Sequence, residues 1–186
     1  MSAFDDVIDL GGGLVLRIIR ETDAPSYWEV VETERRYLSR LDPYTNVALP
    51  TYEALLARVQ ATAAAVEAGE QETRGLFLDG EFVGRLYVAL DRDKMHAVLG
   101  WMRSRKRRPE VKGLVTKAGT FMIRRLTDQG YVRISAIFDP RNHASRRIAE
   151  MLGMVKEGTL RNNVRFGPTT WGNSDVFAIA INPPVD

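Results

Sequence analysis

Apolar side chains at Val115, Ala118, Met122, Ile123 and Leu126 recur about every 3.6 residues and predict a helix from Val115 to Gln129. A second such series, Tyr27, Val31, Glu34 and Leu38, follows a helix start at Thr22-Asp23-Ala24-Pro25 and stops before Asp42-Pro43. Pro50-Thr51 opens another helix, with Tyr52, Leu55, Leu56, Val59, Ala63 and Val66 on one side and a stop at Gly69. Ala144, Ile148, Met151 and Leu152 make a short amphipathic helix closed by Gly153. Between these lie runs of strand-forming residues: 14–19, 75–78, 82–90, 98–102, 132–138, 154–160 and 176–181. Gly11 to Gly13 form a turn before the first strand. Asp79-Gly80 is a hairpin turn, Asp91-Arg92-Asp93 a second turn, and Asp139-Pro140-Arg141-Asn142 a third.

The predicted order is β-α-α-β-β-β-α-β-α-β-β. Two strands able to run parallel bracket the helix that begins near Leu114, and the turn after the first of them is where an α/β sheet places a ligand. With 186 residues and 45% hydrophobic content, the chain suits one α/β domain with a core over about 14–181. No repeat, linker or low-complexity stretch interrupts it, and Asn182-Pro183-Pro184 cannot extend a strand.

Composition narrows the chemistry. There is no cysteine, which excludes disulfides, thiolate zinc sites and a cysteine acyl-enzyme. Two histidines, His96 and His143, are too few to predict a His-rich metal site, so no metal is expected. No apolar run of about 18 residues predicts a membrane span, and the acidic start Met1-Ser2-Ala3-Phe4-Asp5-Asp6 lacks a signal-peptide pattern. A cytoplasmic location is the expectation. A net charge of +2 argues against general nucleic-acid binding. Yet five of the six residues from Arg103 to Arg108 are basic, and this stretch runs through Val111-Lys112-Gly113 into a helix N-terminus. There the first N–H groups lack partners and the helix dipole favours an anion, so the segment suits a phosphate.

These residues resemble the GCN5-related N-acetyltransferase (GNAT) superfamily, in particular its branch of ribosomal-protein N-terminal acetyltransferases (RimJ/RimL). The first signature stands as Arg108-x-x-Val111-x-Gly113 before Leu114-Val115-Thr116. The more specific second block is Asn142-His143-Ala144-Ser145, then Ala149-Glu150-Met151-Leu152-Gly153-Met154 and Glu157-Gly158-Thr159-Leu160-Arg161. The resemblance spans nearly the whole chain. It implies a mixed, mostly antiparallel sheet with a splayed parallel strand pair, helices on both faces, and acetyl-CoA as acyl donor.

The resemblance also implies roles. The pyrophosphate of CoA sits on the backbone N–H groups of Val111, Lys112, Gly113, Leu114, Val115 and Thr116, with the Thr116 hydroxyl and Arg108 adding contacts. The strand ending at Trp101-Met102-Arg103 bulges from its parallel neighbour, admits the pantetheine arm and frees an N–H for the thioester carbonyl. Asn142 bonds the pantetheine, and Ser145 hydrogen-bonds the departing thiolate. Val111 replaces a family glycine. Either the turn keeps a negative φ there or the phosphate site is weakened. The surplus basic residues Arg103 to Arg107 either reach the 3′-phosphate or form a solvated loop.

No acidic base is evident, because Val98 and Val164 occupy the positions where relatives carry one. His96 shares a strand face with Val98, and imidazole is a side chain suited to base work, so it is either the base or an exposed turn residue; a bound water is the remaining candidate. His143 reads as a surface residue. Tyr37, Asp42 and Tyr44 either wall the acceptor site or serve as packing and turn residues. Trp171 flanks the acceptor entrance or covers the core.

Three readings follow. The first is direct acyl transfer from acetyl-CoA to a primary amine, either a protein N-terminus or a small molecule. The second is a degenerate module that binds acyl-CoA or an anionic partner. The third is a transferase with another donor, such as aminoacyl-tRNA. A homodimer is compatible with all three.

Overall fold

A computed structural model describes residues 7–42, 48–105 and 112–181. Strand β1 (Val7–Gly11) leads into β2 (Leu14–Arg17), a short 3-10 turn (Glu21–Asp23), helix α1 (Ala24–Leu38) and helix α2 (Tyr52–Glu67). Then come β3 (Arg74–Leu78), β4 (Glu81–Asp91), β5 (His96–Arg103), α3 (Leu114–Asp128), β6 (Arg133–Phe138), α4 (His143–Met151), β7 (Val155–Arg165) and β8 (Trp171–Ala180).

The strands form one eight-stranded sheet in the order β1-β2-β3-β4-β5-β6-β8-β7. Only β5 and β6 run parallel; the other neighbours are antiparallel. Helix α3 is the crossover between them, as a parallel pair requires. The sheet is therefore the mixed, mostly antiparallel one that the sequence implied.

Helices cover both faces. On one, Val115, Ala118, Met122 and Leu126 of α3 and Ala149 of α4 pack against Leu16, Leu76, Leu86, Leu99 and Phe177. On the other, Tyr27 and Val31 of α1 and Leu55 and Val59 of α2 pack against Ile19, Phe77 and Phe82. Helices α3 and α4 approach closely at Gly119, where a Cβ would come within 2.9 Å of Leu152 Cδ2. This contact holds the two helices that frame the site.

Several boundaries differ from expectation. Strand β1 lies before the expected start of the core and was not anticipated, because its sequence Val-Ile-Asp-Leu-Gly buries only Ile8. Strand β2 ends at Arg17, two residues early. There the Arg17 guanidinium makes a bidentate contact with Asp23 at 2.6 and 2.7 Å and turns the chain towards α1. Ile18 and Ile19 stay buried without joining the ladder. Asp23, at the N-cap position of α1, is thus committed to Arg17 and to the Arg20 N–H rather than to the helix. Thr51 caps α2 as expected, accepting the Ala54 N–H at 3.2 Å. The final hairpin is longer than predicted at both strands.

One buried cluster has no counterpart in the sequence reading. Arg74 of β3 is fully buried and lies 3.2 Å from Glu72, whose carboxylate also meets Arg125 of α3 at 3.5 Å. These charges fasten α3 to the sheet on the side away from its N-terminus.

Candidate active site

The site begins with a ladder that stops. Strand β5 pairs with β4 along its whole length, from His96 opposite Asp91 to Arg103 opposite Gly84. It pairs with β6 only over His96, Ala97 and Val98, opposite Arg133, Ile134 and Ser135. Among the described residues, the β6-facing edge of β5 has no strand partner from Leu99 to Arg103, while β6 turns its other edge to β8 as far as Phe138. A gap therefore opens between the C-terminal halves of the parallel pair. Because α3 leaves from the end of β5 and α4 from the end of β6, both helix N-termini lie at the open end.

The start of α3 is built to be bare. Gly113 is its N-cap, with φ +82° and ψ −10°, a left-handed conformation that favours glycine. Among the described residues no side chain caps this helix. The Gly113 carbonyl accepts the Lys117 N–H at 2.9 Å, so regular helix bonding starts there. The N–H groups of Leu114, Val115 and Thr116 precede it, in the first turn, where helix geometry provides no acceptor. Among the described residues, no atom lies within 4 Å of where a Cβ on Gly113 would stand. Lys112 and Gly113 are exposed, Leu114 and Thr116 half-buried, and Val115 buried in the core, so its contribution is limited to its backbone. Arg108 and Val111 lie outside the described residues.

The start of α4 is closed. The Asn142 Oδ1 accepts the Ser145 N–H at 3.1 Å, which makes Asn142 the cap of the helix. Before it, Asp139 takes the Arg141 backbone N–H at 2.8 Å and the Arg141 guanidinium at 2.7 and 2.9 Å. These guanidinium hydrogen bonds hold the buried Asp139 carboxyl below its ordinary range, against the opposing effect of burial. The turn is thus fixed where β6 hands over to α4. Ser145 stands in the first turn of α4, and its Oγ accepts the Trp101 indole N–H at 3.2 Å. This bond crosses from β5 to α4. The Trp101 ring also lies 6.3 Å from Phe138, which stacks on Phe177 at 5.1 Å.

Trp101, Asn142 and Ser145 are therefore brought together. Met102 faces the opposite side of the sheet, against the α1 and α2 cluster, and Arg103 closes the strand. His96 is not part of this group. It begins β5, opposite Asp91 and Arg133, at the end of the strand where the ladder is closed. His96 and Trp101 are five positions apart, roughly 17 Å of extended chain, and strand alternation turns them to opposite faces of the sheet. The structure therefore does not bring His96, expected as a candidate base, to this group: the face it shares with Val98 lies at the closed end of the strand and away from Trp101.

The walls of the mouth come from distant segments. Tyr37, near the end of α1, is 40% exposed, and the Arg105 guanidinium lies 4.3 Å from its ring centre. Asp42 is exposed, and Tyr44 falls outside the described residues. Trp171 opens β8 and lies 5.8 Å from the Arg165 guanidinium. It is 54% exposed and extends past the end of β6.

One residue not expected in the site, Glu34, holds its β5 side. The buried Glu34 carboxylate of α1 accepts the Ser104 hydroxyl at 2.7 Å and the Arg105 backbone N–H at 2.6 Å. Glu34 thereby fixes the direction in which the chain leaves β5 towards the basic stretch. Its signal was a carboxylate within the apolar series of α1. The basic stretch is consequently not free at its first residues: Ser104 and Arg105 are tied to α1. Asp175, beside the mouth, is engaged by Lys156 at 2.7 Å and Thr159 at 2.6 Å, which hold its carboxyl low despite burial and clamp β7 to β8. No group of acidic and histidine side chains suited to a metal occurs among the described residues.

Comparison with known proteins agrees with this geometry. No curated protein matches the sequence significantly. Solved structures superpose over nearly the full chain at low identity, which establishes the fold. The RimL ribosomal-protein α-N-acetyltransferase in complex with coenzyme A has a TM-score of 0.85 at 17% identity, covering 94% of this chain and 98% of that one. The microcin self-immunity acetyltransferase MccE, in complex with acetyl-CoA and AMP, has a TM-score of 0.86 at 14% identity, covering 97% and 99%. RimJ from Mycobacterium smegmatis, in complex with a CoA disulfide, has a TM-score of 0.79 at 22% identity, covering 90% and 81%. The family model for the acetyltransferase (GNAT) domain matches residues 13–155, which takes in the split strand pair and both helix starts. The chain accordingly belongs to the GNAT acetyltransferase family and is an acyltransferase.

Proposed function

We propose that the protein transfers an acetyl group from acetyl-CoA to a primary amine by direct attack, with a protein N-terminal amine as the favoured acceptor class. The observation that carries this reading is the broken ladder between β5 and β6, with an uncapped helix start on one side and a hydroxyl-bearing one on the other. The first-turn amides of α3 are suited to a diphosphate and the Thr116 hydroxyl adds a donor. The unpaired edge of β5 supplies amides for the thioester carbonyl, whose oxygen gains negative charge as the amine attacks. Holding donor and amine together in the gap removes the entropic cost of their encounter. Asn142 keeps α4 in place, and its Nδ2 group, which the cap does not use, would donate to a carbonyl of the pantetheine arm. Tyr37 and Trp171, both exposed, would contact the acceptor. The Rim-type neighbours support a protein acceptor, and the MccE neighbour supports a small one.

The test is release of free thiol from acetyl-CoA with a panel of amines: peptides with free N-termini, the same peptides N-blocked, and polyamines. Thiol release with free N-terminal peptides and not with blocked ones is expected. Release only with polyamines overturns the acceptor class. Tight CoA binding with no release for any amine overturns catalysis in favour of a binding module. A donor that is an aminoacyl-tRNA would instead show binding that falls steeply with salt.

A further inference from the structure

The bond between Trp101 and Ser145 carries more than packing. A hydroxyl has one proton to donate and two lone pairs with which to accept, whereas an indole N–H can only donate. Where the Trp101 Nε1 donates to the Ser145 Oγ at 3.2 Å, the serine proton is excluded from that direction. A serine deeper in a helix turns its proton back to the carbonyl four residues earlier. Ser145 lies in the first turn of α4, so that residue is Arg141, outside the helix. Its backbone N–H is already held by Asn142, which fixes the Cα and leaves only the hydroxyl rotor to be set. The indole comes from the strand edge where the ladder has ended, and it reaches across the mouth of the gap.

We propose that Trp101 is a positioning residue for Ser145. By donating to the Ser145 Oγ, the indole turns the hydroxyl proton into the gap and polarises it for the sulfur that departs there. This rests on the transferase reading above. In the step it serves, the amine nitrogen forms a bond to the thioester carbon. The carbon–sulfur bond then breaks with its electron pair passing to sulfur, while the Ser145 O–H hydrogen-bonds the developing thiolate. The proton lost by the amine to solvent balances the one the sulfur takes up. The donated indole bond strengthens the serine as a donor, because hydrogen bonds in a chain polarise one another. The positive end of the α4 dipole favours the same charge.

The experiment is a double-mutant cycle of W101F and S145A, read as thiol release under saturating amine together with CoA affinity by calorimetry. Phenylalanine keeps an aromatic ring near Phe138 and removes the N–H. W101F is expected to lower kcat about five- to tenfold, with the Kd for CoA within about twofold. In the S145A background, the same change is expected to alter kcat less than about twofold. Equal losses in both backgrounds mean the indole acts through packing and overturn the proposal. So does a W101F effect confined to KM or Kd.

A second measurement does not depend on W101F folding. The chain has three tryptophans, so the Nε1–H resonance of Trp101 can be assigned with W28F and W171F. It is expected to shift upfield in S145A, and an unmoved resonance overturns the hydrogen bond itself. Wild-type protein that releases no thiol overturns the transferase reading along with this one. Wild-type release with an uncoupled cycle overturns this one alone.

Discussion

The two helix starts at the gap are opposites. Among the described residues, that of α3 has a glycine at its N-cap, no side-chain cap and no atom within 4 Å of where a Cβ on that glycine would stand. That of α4 has its cap filled by Asn142, its preceding turn clamped by Asp139 and Arg141, and its serine held by Trp101. Orphan amides are a liability in a buried helix and an asset where an anion is to be bound. A side chain that must meet a reacting atom needs the reverse: a start whose own hydrogen bonds are satisfied, so that one rotor remains to be aimed. The same structural unit, a helix N-terminus after a parallel strand, is thus used once as backbone and once as scaffold.

The contrast can be broken most severely at Gly113. G113V forces a β-branched residue into the left-handed region, at a cost of about 1–3 kcal/mol. It is expected to weaken CoA binding roughly tenfold or more by calorimetry, while Ser145-dependent turnover at saturating CoA changes less. A loss of turnover without loss of affinity would mean that α3 does not serve the phosphates.

On the α4 side, D139N tests the clamp. The folded pKa of Asp139 is depressed, and its unfolded value is about 3.9. The stability it contributes is therefore complete above that unfolded value and is lost as pH falls through the lower folded value. D139N is expected to cost about 1–2 kcal/mol at pH 7 in urea unfolding, and the difference from wild type should shrink below about pH 4. A difference independent of pH would show that shape rather than charge holds the turn.

Asn142 separates cap from ligand. N142A is expected to cost about 1 kcal/mol of stability. N142D keeps the cap and the stability, yet it places a carboxylate where a thiolate forms, so its turnover should fall while its melting temperature does not. If N142D matches wild type in both, the residue is a cap alone. The smallest effect is expected for T116V. Loss of one hydroxyl donor should weaken CoA binding by a few-fold, corresponding to about 1 kcal/mol, with kcat unchanged.

Much of the frame was legible in the chain. Val115, Ala118, Met122 and Leu126 gave α3 its buried face, and Asp79-Gly80 marked a hairpin whose two turn residues both take positive φ. Asn142 and Ser145 stand three apart at a helix start, and the structure joins them through the Asn142 cap, a local contact that the spacing permits. Strand β1 escaped because an edge strand with one buried residue leaves no alternating signal. His96 shares a strand face with Val98, but where the ladder with β6 opens, and so which end of β5 meets the site, is not written in that alternation. Glu34 was read as a helix residue and Arg74 lay just outside the strand read over 75–78, since the sequence cannot say which distant group neutralises a buried charge.

By itself, then, the sequence determined the elements from β2 onward, their order and the glycine turn before α3, because these follow from local periodicity and backbone preference. Only the tertiary structure decided where the β5–β6 ladder ends, that Trp101 reaches Ser145, and that Glu34 and Asp139 secure the two strand exits. Each of those depends on the register between strands and on contacts across long sequence separations, which no local pattern encodes.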